Sequence, residues 1–156
     1  MPNSMRHAKS LRHVNLRLER WHRLCIYAIC AWLLVTGLLW LAAHYFLQPS
    51  GEFGAGVHPL EPWAMKLHGA GAMFILFFLG SLMNSHIRRA LKSGRNLSSG
   101  WFMIAACTAL IVTGYALYYL ASEETHRVWS AVHWIVGLAF PLLIVLHITL
   151  GRRSSR

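Results

Sequence analysis

Ten histidines are distributed through 156 residues, and His68, His133 and His147 fall inside stretches long and apolar enough to lie in hydrocarbon. An ionisable ring in that position points to function, because the surroundings offer no water and its nitrogens must find partners. Taken one at a time, each is equally well read as a neutral imidazole bonded to a hydroxyl or carbonyl of the next helix. Their spacing says more. His133 and His147 are 14 residues apart, which at about 100° and 1.5 Å per residue puts them within about 40° on one helix face and about 21 Å apart in depth. That arrangement suits two stacked low-spin b-type haems, each iron held by two axial imidazoles from facing helices, so each ring calls for a partner at its own depth.

The elements that must position these rings are four apolar spans, at about 24–47, 64–87, 101–121 and 128–150. With 56% apolar or aromatic residues and 13% charged, the composition excludes an ordinary soluble domain. The first span follows a basic arm, residues 1–23, and runs well past the length of a signal-peptide core with no small-residue cleavage site, so it is expected to be a retained helix. Between the first two spans, residues 48–63 carry Pro49, Gly51, Gly54, Gly56, Pro59 and Pro62, which are expected to keep this stretch out of a helix. The predicted fold is all-α, an antiparallel four-helix transmembrane bundle with a short basic tail at 151–156.

Charge sets the orientation. The chain has 15 Lys and Arg against five Glu, no Asp and a formal charge of +10. Thirteen of the 15 bases fall on one side, in the arm, in the loop after the second span (Arg88, Arg89, Lys92, Arg95) and in the tail. Only Lys66 and Arg127 fall on the other, with Glu52, Glu61, Glu123 and Glu124. Both termini are therefore expected in the cytoplasm. The same asymmetry explains the basic balance as membrane orientation and sets nucleic acid aside as a partner. Trp63, Trp101 and Trp129 at span ends fit the headgroup layer.

On this topology His68 and His133 both stand at the outer ends of their spans and make one expected haem pair. Glycines beside His68, at Gly69 and Gly71, would admit a flat macrocycle close to the backbone, although small residues in membrane helices serve packing at least as often. For His147, near the cytoplasmic end, the sequence offers two partners, His22 at the start of the first span and His86 at the end of the second. Spacing alone does not separate them. Lys66 and Arg127 are candidate partners for the propionates of the outer haem, with interfacial snorkelling as the plain alternative. Gly94-Arg95-Asn96 beside His86 is a weaker candidate for contact with a quinone carbonyl. A short echo, Val35-Thr36-Gly37 against Val112-Thr113-Gly114, hints at duplication on only three residues.

Arg20-Trp-His-Arg23 opening the first span, Thr36-Gly37 within it, a histidine early in the second and two histidines 14 apart in the fourth resemble the bacterial cytochrome b561 group, which includes the cytochrome b subunits of formate dehydrogenases and nickel-iron hydrogenases. The resemblance runs from about residue 20 to 152. It implies that His22 and His147 hold the cytoplasmic-side haem and His68 and His133 the outer one. It also implies a bacterial inner-membrane location and an electron-transfer subunit of a membrane oxidoreductase, linking a periplasmic redox protein or other subunits to quinone. His86 departs from the pattern and stands as the alternative inner ligand.

Other chemistries are limited by what the chain lacks. No Cys-x-x-Cys-His, glycine-rich dinucleotide loop, Walker loop or iron-sulfur cysteine spacing occurs, and Cys25, Cys30 and Cys107 are scattered through the apolar spans. A self-sufficient haem oxidoreductase taking electrons from superoxide is a second reading, disfavoured by an outer side with two bases against four Glu. A haem-free anchor or sensor is the third.

Overall fold

The computed structural model describes residues 19–51, 54–94 and 96–153. Most of the basic arm, Glu52, Arg95 and the end of the tail, and with them the part of the 94–96 quinone motif that carries charge, lie outside the described residues. Four helices cross the molecule: α1 (Arg20–Phe46), α2 (Leu60–Ser93), α3 (Leu97–Tyr119) and α4 (Glu123–Arg153), all long and apolar enough to span a membrane. Consecutive helices run antiparallel. The start of α1 and the end of α4 therefore share one end of the bundle with the α2–α3 turn, the basic end. The other end carries the α1–α2 loop and the start of α4.

Each boundary has a local cause. Pro62, expected to lie in the loop, sits instead in the first turn of α2, where a backbone N–H has no intrahelical partner and proline costs nothing. In the loop itself, Ser50–Gly51 and Gly54–Ala55 form a two-residue antiparallel ladder. The α2–α3 turn is made by Gly94 and Asn96 at φ 68° and 52°, the left-handed region that glycine and asparagine enter most readily. Ser122 opens α4 with a reciprocal cap. Its Oγ accepts the Thr125 N–H at 3.3 Å, while Thr125 Oγ1 accepts the Ser122 N–H at 3.0 Å, and Glu123 and Glu124 follow at the positive end of the helix dipole.

Packing is organised as two hairpins, α1 against α2 and α3 against α4, with α1 also touching α4. Small residues form the seams: Ala43, Ala64 and Ala116 are at most 1% exposed. Gly71 belongs to this packing. A Cβ there would come within 2.8 Å of Trp32 Cδ1 and 3.0 Å of Leu33 Cδ2, and the Trp32 indole donates to the Leu67 carbonyl at 2.9 Å. Large apolar side chains such as Phe74, Phe77, Phe102 and Leu142 point outward, as expected where lipid is the solvent. Among the described residues no large side chain is fully buried. The buried polar set is His22, Thr36, Glu61, Ser99 and Thr113.

With the native cysteines replaced, a single cysteine at Gln48 or His58 is expected to react with a membrane-impermeant maleimide from the side opposite both termini. Labelling only after the membrane is permeabilised would invert the orientation read from charge.

Candidate functional site

Two pairs of imidazoles face each other between α2 and α4. The His68 and His133 rings have centroids 6.1 Å apart with planes at 72°, and the His86 and His147 rings have centroids 6.2 Å apart with planes at 80°. A metal–imidazole bond is about 2 Å and the ring centre lies about 1 Å behind the nitrogen, so two trans imidazoles on one metal have centroids about 6 Å apart. Both pairs match that separation.

The ring nitrogens on the far side are tied to the neighbouring helices. His68 Nδ1 is 3.0 Å from Thr36 Oγ1 on α1, and His133 Nδ1 is 2.8 Å from Thr113 Oγ1 on α3. Each threonine hydroxyl donates to its own helix, Thr36 to the Trp32 carbonyl at 2.8 Å and Thr113 to the Ala109 carbonyl at 2.6 Å. With that hydrogen spent, the oxygen is left to accept, so the ring must donate from Nδ1. The tautomer that results has its Nε2 lone pair free, the state a metal ligand needs. At the basic end, Ser99 Oγ lies 2.9 Å from His147 Nδ1, and Asn96 Nδ2 donates to the His147 carbonyl at 3.3 Å.

Glycine makes room for these contacts. A Cβ on Gly37 would lie 3.6 Å from His68 Cε1, and one on Gly114 would lie 3.3 Å from His133 Cε1. The Val-Thr-Gly echo is thus a shared device: in each hairpin the threonine meets the ring of the following helix and the glycine lies beside that ring, with room for no more than a tight contact at Gly114 and for an ordinary one at Gly37. Gly69, beside His68, meets nothing within 4 Å. The offset between the two copies is 77 residues, and the same offset carries His22 onto Ser99.

His22, the inner ligand implied by the family resemblance, lies against Trp21 and Phe78, with ring centroids at 5.2 and 5.4 Å. Its Nε2 is buried and has no hydrogen-bond partner. The ring that meets His147 is that of His86. His86 sits in a π-helical turn, Met83–Ile87, within α2. A π turn takes in an extra residue and so changes the direction of the side chains around it.

Lys66 and Arg127 are both exposed on the end opposite the basic one, and Lys66 Nζ lies over the Trp63 ring at 4.9 Å. Among the described residues no three His, Cys, Asp or Glu side chains converge, so the facing rings offer a metal two protein ligands per site. That donor set suits an iron whose four equatorial positions are filled by a macrocycle. Sequence reasoning missed Ser99, the threonine roles and a His44–Glu61 contact at the far end. One signal was available: Ser99 and Thr113 repeat the 14-residue interval of His133 and His147, as do His22 and Thr36.

Compared with known proteins, the chain matches no family model, no curated sequence and no solved structure.

Thr113→Val keeps the shape of the side chain but removes the hydroxyl that meets His133 Nδ1. It is expected to cost about 0.5–1.5 kcal/mol, the net worth of one hydrogen bond, read as a lower unfolding midpoint in detergent. Thr113→Ser should retain most of the native value. An unchanged midpoint for Thr113→Val would mean that the hydroxyl does not hold the ring.

Proposed function

We propose that the chain is an integral-membrane di-haem b-type cytochrome that carries electrons across the bilayer between an outer-side redox partner and the quinone pool. The observation that carries this reading is the double one above: two imidazole pairs at the separation of trans ligands on one metal, with Nδ1 of His68, His133 and His147 held by hydroxyls.

His68 and His133 are assigned to the outer haem and His86 with His147 to the inner one. When bound there, the haems supply one-electron carriers at two depths of the membrane. The protein's own part is to fix ring orientation through Thr36, Thr113 and Ser99, and to exclude water from the level of the rings. Lys66 and Arg127 are placed to neutralise propionates at the outer rim. His22, which packs on Trp21 and Phe78, is left out of the inner pair in this reading. The resemblance to the bacterial cytochrome b561 group adds the bacterial cytoplasmic membrane as location, with both termini on the inner side, and an oxidoreductase complex as the setting.

The test is the reduced-minus-oxidised spectrum of single variants. His68→Ala or His133→Ala should remove one of two low-spin haems, about half of the α-band amplitude, and spare the other. His86→Ala and His147→Ala should remove the second haem, while His22→Ala keeps both. If His22→Ala abolishes the inner haem and His86→Ala spares it, the inner assignment fails; if His68→Ala and His133→Ala both keep two haems, the outer one does.

A further inference from the structure

At the end opposite the basic one, α1 and α2 are joined by a histidine contact that electron transfer between haems leaves unused. His44 Nδ1 lies 3.1 Å from Glu61 Oε2, with the His44 side chain 38% exposed and that of Glu61 10%. Glu61 Oε1 is buried with no hydrogen-bond partner. The imidazole stacks on Trp40 at 4.7 Å and 11°, and meets the Tyr45 ring edge-on. An ionised carboxylate only accepts, so the shared hydrogen comes from His44 Nδ1, and Nε2 is the ring's other proton site on the half-exposed side chain. The carboxylate is nearly buried and half satisfied.

Glu61 precedes His68 by seven residues on α2, about 10 Å along the helix axis. Adding one electron to an iron held by two neutral imidazoles lowers the charge of the haem site by one, whatever charge its propionates carry. At about 10 Å the added negative charge favours a proton on the His44–Glu61 pair.

We propose that His44 and Glu61 form a proton-binding site coupled to the outer haem. As the iron held by His68 and His133 takes one electron from the quinone pool or from the outer partner, His44 Nε2 takes one proton from the outer aqueous phase. Oxidation returns the electron and releases the proton. The site rests on the di-haem reading.

Among the described residues other titratable groups stand near this end, the exposed Tyr118 and Tyr119 at the close of α3 among them. Lys66 on α2 is held over Trp63, and the loop's His58 accepts the Leu60 N–H at Nδ1. On α1, Tyr45 packs on His44 itself. At the start of α4, which α1 also touches, Glu123, Glu124, His126 and Arg127 are exposed. None of these combines burial with an unpartnered polar atom as Glu61 does.

The experiment is a redox titration of the full-length protein from about pH 5 to 9, spanning the range in which a histidine charges, with proton uptake on reduction followed by an indicator dye. The outer haem is identified as the one missing in His133→Ala. Its midpoint potential is expected to fall as pH rises, approaching 59 mV per tenfold change in proton concentration for one proton per electron. Glu61→Gln and His44→Gln should keep both haems and lose most of that slope and uptake, whereas Glu124→Gln should leave them unchanged. A slope that persists in both pair variants overturns the proposal. So does loss of the outer haem in both, which would make the contact a structural support. A native protein without haem is a separate outcome, visible in the spectrum before titration, and defeats the parent reading.

Discussion

An imidazole in hydrocarbon has two nitrogens and no water for either, and most of the bundle's internal arrangement follows from meeting that demand. For His68, His133 and His147 one nitrogen is tied to a hydroxyl on an adjacent helix. The rings come together in pairs, His68 with His133 and His86 with His147, at centroid distances of 6.1 and 6.2 Å. We propose a metal between the members of each pair, so the pairing of rings, rather than the presence of any one histidine, carries the functional reading.

The hydroxyls constrain the fold in turn. Thr36 and Thr113 reach the next helix only if the backbones approach closely, and the alanine seams and the glycines after each threonine permit that approach. Two hairpins built on the same plan then present their histidines to each other. The plan is imperfectly repeated at the basic end, where Ser99 stands in one copy and His22 in the other, and where His86 lies in a π-helical turn of α2. The opposite end adds a polar pair, His44 and Glu61, in the α1–α2 seam close to Ala43 and Ala64.

The four spans, their antiparallel order and the outer histidine pair were legible in the sequence because each depends on a periodicity or a length: hydrocarbon thickness for the helices, 3.6 residues per turn for His133 and His147. Pro62 was misread because proline argues against a helix interior but not against a first turn. The partner of His147 was not legible. A uniform helix puts His86 about 27 Å from His68, against about 21 Å on the fourth span, and a π turn leaves no residue-type signature. Gly71 was open to two readings, and the contacts of Trp32 and Leu33 favour packing. The Val-Thr-Gly echo was visible as letters, but its meaning needed the rings in place, since a threonine in a membrane helix most simply bonds its own carbonyl at i−4.

The central claim is that two pairs of imidazoles each hold a haem, and the most direct measurement is the pyridine haemochrome content of the purified native chain, expressed per polypeptide. The account predicts two b-type haems per chain. A purified, folded four-helix protein with no Soret band and no extractable haem would contradict it.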